Sequence, residues 1–544
     1  SIAAPAFADI YYIGNGSIDV ETITSTDGKQ YVKVTQGDKT YTDTSDEIVI
    51  KDGTSEKNAT QIEESRIDGK KAKVAIPDND PSATQELEAA GSADAAGESQ
   101  PDPDDAFTLS EAEEDSAQPQ EGKDTTKKDE DTTEPPTENP TEDTTEPSTD
   151  NPTENPKKDV VYEYAPAADP NPEQQATKLA PTTSATPTAK TPEVTLDDAP
   201  ATTAPAEGSA KKPTTNVIKV VNNWVGKAAK ELKIRLSNVN IKVEQSVDKA
   251  AMDVSGDGTT KVELDGQNVL DSYRTQYPAG YRAGLRKQGE GTLIITDETD
   301  DRGNKITTPK SNDSGSLTAK GAGGNGAAGI GGSVAEGTKN ITIEGYATVH
   351  AAGGGSGAGI GGGGIYGDTQ SGDAENIIIQ GYATVDATGS GSAAGIGGGG
   401  NGGNAENIII RGHSKVTATT LGGAAIGGGY GSKSGGSAKG IVIRDHATVV
   451  AKSDGGSWLG NGCAAIGAAG NKDTEAEVII GTPGATAATG DVHVTATGLY
   501  GSAIGSGTKD TKVTIQGNAT IRTESRRNST AIGSKDGNVE VNIK

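Results

Sequence analysis

Residues 376–398 hold three short segments in a row: Asn376-Ile377-Ile378-Ile379, then Gly381-Tyr382-Ala383-Thr384-Val385, then Ala393-Ala394-Gly395-Ile396-Gly397-Gly398. The first two are β-branched and strand-like, and the third closes on glycine. The same triplet recurs along the chain. Aligned on the Ile-Gly of the third segment, it gives Ile330, Ile360, Ile396, Ile426, Ile466, Ile504 and Ile532, at intervals of 30, 36, 30, 40, 38 and 28 residues. Upstream the signature continues with less glycine. Lys233-Ile234-Arg235-Leu236, Asn240-Ile241-Lys242-Val243 and Ala250-Ala251-Met252-Asp253-Val254 make one unit; Val262-Glu263-Leu264, Asn268-Val269-Leu270 and Ala283-Gly284-Leu285 make the next. A third runs through Thr292-Leu293-Ile294-Ile295, Ser316-Leu317-Thr318-Ala319 and Ala328-Gly329-Ile330.

Three strands per repeat, variable loops and no helical periodicity predict a right-handed parallel β-helix. Each repeat is one coil, and equivalent strands stack into three parallel sheets. About nine to ten coils at roughly 4.8 Å each make a rod on the order of 45 Å long. Composition supports this. The 544 residues include 76 Gly but only 2 Phe, 2 Trp and 1 Met, so the core must be built from Ile, Val, Leu and Ala. Between 315 and 544 lie 57 of the glycines, placed at coil corners where a residue without Cβ fits most easily. A propeller would need four strands per blade, and collagen would need a glycine period of three.

The rest of the chain divides around this repeat. Residues 1–8 read as the end of a signal peptide, because Ala6-Phe7-Ala8 is the small-x-small pattern of a secretory cleavage site. The chain is accordingly expected to be trimmed there and its protein secreted or held at the cell surface. Residues 9–76 are β-rich, with runs such as Tyr31-Val32-Lys33-Val34 and Glu47-Ile48-Val49-Ile50, and read as opening strands of the β-helix. Residues 77–215 hold 20 of the 24 prolines, with 33 Asp and Glu against 9 Lys, a net of −24 within the total of −28. This Pro/Thr/Glu tract lacks the apolar surface to offset its ordering entropy and is expected to be a disordered insert or linker. Residues 216–544 carry the repeats, and Val541-Asn542-Ile543-Lys544 reads as the start of a further strand, so more chain is expected to follow.

The charge argues against nucleic acid as a partner, which needs clustered Lys and Arg. No run of 18 apolar residues exists to insert in a membrane. One cysteine, Cys463, cannot form an intrachain disulfide, and beside Ala464 and Ala465 it reads as a buried small hydrophobe.

In a β-helix each alignment column becomes a ladder in space. Asn340, Asn376 and Asn407 form one, expected to bond amide to amide. Tyr346, Tyr382, His413 and His446 form another, followed by Asn518, with Val239 and Gln267 assigned to it in the early coils. Two readings stand for these rings. They stack merely to cover a corner, or they make a stripe that takes the CH faces of sugars, with a polymeric glycan following the rod. His413 and His446 have no cysteine or carboxylate at a zinc spacing. No cofactor is required; Asp253, Asp257 and Asp265, or Asp297, Asp300 and Asp301, are calcium candidates through oxygen ligands, against the plainer reading of solvated loop charge. A hydrolase would present paired carboxylates on a sheet face, and a lyase calcium with a nearby Arg or Lys. The outward positions instead read mostly as Thr, Ser, Asn and Gln, with acids in loops and corners. The expected chemistry is therefore binding, with no catalytic residue.

With coils aligned, residues 216–544 resemble the β-helical carbohydrate-binding domain proteins of secreted clostridial and gut Firmicutes origin. The motifs carrying this are Leu236-Ser237-Asn238-Val239-Asn240-Ile241, Val262-Glu263-Leu264-Asp265-Gly266-Gln267-Asn268, Gly291-Thr292-Leu293-Ile294-Ile295 with Gly315-Ser316-Leu317-Thr318-Ala319, and the repeated Ala-Ala-Gly-Ile-Gly-Gly. The resemblance implies binding of a cell-wall polysaccharide such as cellulose or pectic acid, with calcium as a possible companion, and no catalysis. A plant cell-wall or host glycan is thus the expected partner. A polysaccharide lyase or hydrolase and a structural adhesin stalk are the alternatives.

Overall fold

The structure, a computed structural model, describes residues 10–43, 47–54 and 212–544, less 227–228, 273–280, 301–302, 309–314, 325, 366–370, 432–434, 455–461, 471–473, 487, 507–508, 527–528 and 535–536. The expected leader remnant and, apart from 212–215, the expected insert lie outside the described residues. What is described is all-β; the one helical turn there is Ile13–Asn15. The strands fall into three long sheets of 12, 9 and 13 strands, as in a β-helix or related solenoid.

One repeat shows how the sequence does this. Ala374–Ile379 lies in the first sheet, Thr384–Gly389 in the second and Ile396–Gly397 in the third. Each pairs in parallel with its equivalent one repeat on, Ile377 with Ile408, Val385 with Val416 and Ile396 with Ile426. Because strand side chains alternate, every second residue faces the axis. Ile377 and Ile379, Val385 and Ala387, and Ile396 are buried, and their columns join one core cluster spanning Tyr11 to Val513. Burying each aliphatic side chain contributes about 1.5–3 kcal/mol, so these columns are the main stabilising term. Cys463 is buried in a small satellite with Tyr430 and Ala469, its thiol pushed up to about 12 by burial and its Sγ donating to the Gly422 carbonyl at 2.9 Å.

The opening strands join the same sheets. These are β1 (Ile10–Tyr12), β2 (Ile18–Thr24), β3 (Gln30–Gln36), β4 (Lys39–Asp43) and β5 (Glu47–Lys51), followed by β6 (Ile218–Val221) and β7 (Leu232–Ser237). β5 lies between β1 and β7 in the first sheet, parallel to both. β2 pairs in parallel with β6 in the third sheet. Beyond β2 the stacking changes, since β3 and β4 add as antiparallel strands. This meander closes the sheet with β4, a short and mostly exposed edge.

β5 and β7 also meet through a polar cluster on the outside of the first sheet. Arg235 is only 5 % exposed. Its Nε donates to both carboxylate oxygens of Glu47 at 3.1 Å, its Nη1 to Asp265 at 2.7 Å and its Nη2 to the Thr299 hydroxyl at 2.8 Å. Glu263 accepts from the Glu298 and Thr299 amides and the Thr299 hydroxyl, so residues 298–299 are fastened over the cluster. Asp297, 1 % exposed, accepts from the Gly315 amide at 2.7 Å. Burial, with Glu263 and Asp265 nearby, pushes its carboxyl from 3.8 up to about 7. Between those values the folded chain holds a proton that the unfolded chain has released, so stability falls as pH rises through this window. Asp297→Asn keeps an acceptor for Gly315 and removes the charge. It is expected to flatten that slope and to exceed the parent at pH 8 by on the order of 2 kcal/mol, read by urea unfolding at pH 5 and pH 8. An unchanged slope would clear Asp297 as its source.

Candidate functional site

The corner between the first and second sheets is built by residues 380–384 and their equivalents. Ile379 ends the inward column and Gly381 turns the chain with φ of +71°. The next side chain, Tyr382, is then thrown outward before Ala383 and Val385 return to the core. The same turn places Tyr346, His413 and His446, and the rings form one continuous stack. Centroids are 5.1 Å apart for Tyr346 and Tyr382, 4.8 Å for Tyr382 and His413 and 4.5 Å for His413 and His446, with planes within 13°. The spacing is that of adjacent parallel strands, so the backbone sets it. Each inner ring has a ring above and below it. Most face area is therefore spent within the stack, and a ligand meets ring edges, phenol hydroxyls and imidazole nitrogens. Tyr382 remains 45 % exposed.

Register also corrects the ends of the ladder. Gln267 pairs with Ser316 and Ser316 with Thr348, two positions past the rings, and Val239 is buried. Neither belongs to the column. Downstream, Thr448 pairs with His493 and Val492 with Ala519, which puts Asp491 in the ring column between His446 and Asn518. Asn518 donates to Asp491 at 3.0 Å, and the ring of His493 lies 3.1 Å from the same carboxylate. The fourth histidine, His350, contacts Asp386 at 3.0 Å across one coil of the second sheet.

No family model, curated protein or solved structure matches the chain. The site is accordingly argued from its own chemistry. Beside the rings, on the first-sheet side, runs the column Glu344, Gln380, Arg411 and Arg444. Gln380 donates to Glu344 at 2.5 Å, and Arg411 donates to Gln380 through Nε at 2.8 Å and Nη2 at 2.5 Å. On the second-sheet side run Thr348, Thr384, Lys415, Thr448 and His493. One column further into the first sheet, the outward residues are Ile378, Ile409, Val442 and Ile479, each the register partner of the next. The outer face thus departs from the polar composition expected of it. The signal was the unbroken Ile377-Ile378-Ile379, whose middle member must point outward.

The asparagine ladder forms: Asn376 donates to Asn340 at 3.0 Å and Asn407 to Asn376 at 3.2 Å. All three have φ between +54° and +58°, a left-handed bulge that asparagine tolerates and that Gly440 takes over in the next coil with φ of +68°. Beside it, Glu375 and Glu406 are register partners at the start of their strands. The calcium candidates do not converge. Asp253 is paired with Arg286 at 3.0 Å and Asp265 with Arg235 at 2.7 Å, while Asp257 accepts from the Glu290 amide at 3.3 Å. Asp297 and Asp300 accept from backbone amides of Gly315 and Asn304, and Asp301 lies outside the described residues. Among the described residues no three His, Cys, Asp or Glu side chains form a metal-binding group, and no helix is long and apolar enough to cross a membrane.

Proposed function

We propose that this chain is a secreted or cell-surface, non-catalytic polysaccharide-binding protein. In this reading it is a right-handed β-helix of nine to ten coils, its acidic insert disordered, that holds a glycan along the corner between its first and second sheets. The observation that carries this is the continuous stack of Tyr346, Tyr382, His413 and His446 at the coil spacing. A row of equivalent polar and aromatic edges with one set per coil suits a ligand that itself repeats along a line, and hydrogen-bonding columns on both flanks suit hydroxyl-rich sugars. The resemblance to clostridial and gut Firmicutes carbohydrate-binding proteins points the same way.

The test is co-sedimentation with insoluble cellulose and pectin after a glycan-array screen. Tyr346→Ala with Tyr382→Ala is expected to reduce binding at least about tenfold, since each removes roughly 1 kcal/mol or more of contact. Binding unchanged by that pair would remove the ring stack from the site. One observation favours a second reading, glycoside hydrolysis. Glu375 and Glu406 sit one coil apart, and carboxyls about 5 Å apart are what a retaining mechanism uses. The binding reading expects no reducing or unsaturated sugar during incubation; release of sugar that stops in Glu375→Gln and Glu406→Gln would establish the enzyme.

A further inference from the structure

The outer face of the first sheet carries a rail that glycan binding at the corner leaves unused. Thr342, Ile378, Ile409, Val442, Ile479 and Thr514 are register partners in succession, so six coils each present one uncharged β-branched side chain. Thr342 to Ile479 are half-buried, covered along the column by one another and keeping part of their surface open. The elements in close contact with these six strands are their sheet neighbours and strands of the third sheet, so no described strand packs on the outer side. Upstream, Lys261 reaches Glu298 at 2.7 Å and Arg235 reaches Thr299 at 2.8 Å, which brings residues 298–299 over the sheet and bounds the open face. The two flanks of the rail differ in charge. Where the strands begin stand Lys339, Glu375, Glu406 and Lys439; where they end stand Glu344, Gln380, Arg411 and Arg444.

We infer that this face is a self-association surface, on which a second copy of the chain packs face to face with its coils running the same way, related by a twofold axis along the rod. Such an axis lays rail on rail and exchanges the flanks. Coil by coil, Lys339 of each copy then meets Glu344 of the other, Glu375 meets Gln380 and Glu406 meets Arg411. Lys439 meets Arg444, but Glu475 stands 3.8 Å from Lys439 in its own chain. An axis across the rod through the centre of the rail would instead set Arg411 against Arg444 and Glu375 against Glu477. Shape points to the same occupant. Neighbouring strands of an ordinary sheet are rotated by about 20–25°, so such a sheet would leave the rail within a few strands. Here the rings at the adjacent corner turn by no more than 13° from coil to coil, and another copy has the same rise and straightness. Six strands of about 20 Å, spaced about 4.8 Å apart, give a face on the order of 600 Å² per copy, somewhat under the roughly 800 Å² of a standard interface, so the dimer is weak and concentration-dependent. The inference is independent of what the ring corner binds. The two ring stacks lie at opposite edges of the interface, with their second-sheet flanks free.

The experiment is sedimentation velocity of the full chain from about 1 to about 200 μM, where a reversible monomer–dimer equilibrium is expected. Ile409→Lys sets a charge at the centre of the rail and should weaken dimerisation at least about tenfold, with an unchanged circular dichroism melt showing that it is folded. The flanks give a second test that does not touch the rail. Glu406→Arg and Arg411→Glu should each weaken the dimer, and both reversals in one chain should restore it, because the two sites meet between copies. Orientation is read by crosslinking, the native Cys463 being buried. A short bismaleimide should couple Ile378→Cys to itself and Ile479→Cys to itself; coupling only between the two variants in a mixture would overturn the parallel arrangement. A monomer at every concentration, or a dimer unchanged by Ile409→Lys and by both single reversals, overturns the surface. Dimerisation lost in Ile543→Lys alone, on the last strand where that side chain is 80 % exposed, overturns it in favour of end-to-end contact.

Discussion

Gly397→Ala is expected to cost at least about 3 kcal/mol and to lower the melting temperature by several degrees, although it adds a single methyl group. Gly397 follows Ile396 in the shortest strand of its coil, with φ of +136°. A Cβ there would lie 2.0 Å from the carbonyl oxygen of Gly427, the equivalent residue one coil on. That oxygen cannot retreat, because it accepts the Gly398 amide at 3.0 Å and is fixed in the ladder. The coils must therefore separate locally or the strand must leave the sheet. Gly484 supplies the control. Its φ is also positive, at +68°, but a Cβ there meets nothing within 4 Å. Gly484→Ala should show only the backbone penalty of about 1–2 kcal/mol. The loss at Gly397 beyond that at Gly484 combines the clash with a φ that only glycine adopts readily, and equal losses in thermal melts would mean that neither is what the glycine is for. Since a solenoid coil contacts only its neighbours, amide exchange should rise first in the strands around Ile360, Ile396 and Ile426.

The three sheets were readable in sequence for the same reason. Parallel stacking forces each coil to repeat both its inward Ile or Val and its Ile-Gly corner, so register is written in spacing. Ring columns are legible on that basis, as Tyr346, Tyr382, His413 and His446 show. Three other features were not. The placing of β5 beside β7 joins residues 188 positions apart through Glu47 and Arg235, and no periodicity spans that distance. The left-handed bulge at Asn340, Asn376 and Asn407 leaves hardly a trace until Gly440 is set in the same column. The outward Ile378, Ile409 and Val442 share residue types with the core, so composition hides them, and alternation marks them only once the residues on either side are placed inward. The loop insertion that covers Arg235 likewise follows from contacts between coils rather than from any pattern within one.

Arg235→Met is expected to destabilise the protein by about 3–5 kcal/mol, the usual cost of removing one partner from a buried ion pair. The loss would come from what remains. Asp265 and Glu263 are nearly as buried as Arg235, and Glu47 would keep a carboxylate with both of its guanidinium bonds gone. Burial raises the Glu263 carboxyl and the charge of Arg235 works against that rise, so with the cation gone the damage should be greater at pH 8 than at pH 5, where protonation is easier. Arg235→Lys keeps the charge but cannot reach Glu47, Asp265 and Thr299 together, and should fall between. The location of the damage is as informative as its size. Glu47 belongs to β5, whose partners are β1 and β7, so weakening this contact should free the opening strands before the later coils. Limited proteolysis should therefore release fragments cut near residues 10–54 while the repeats from Ile330 onward stay resistant. Uniform digestion along the chain, or a loss under 1 kcal/mol, would show that the stacked backbone of β1, β5 and β7 holds those strands without help from the ion pair.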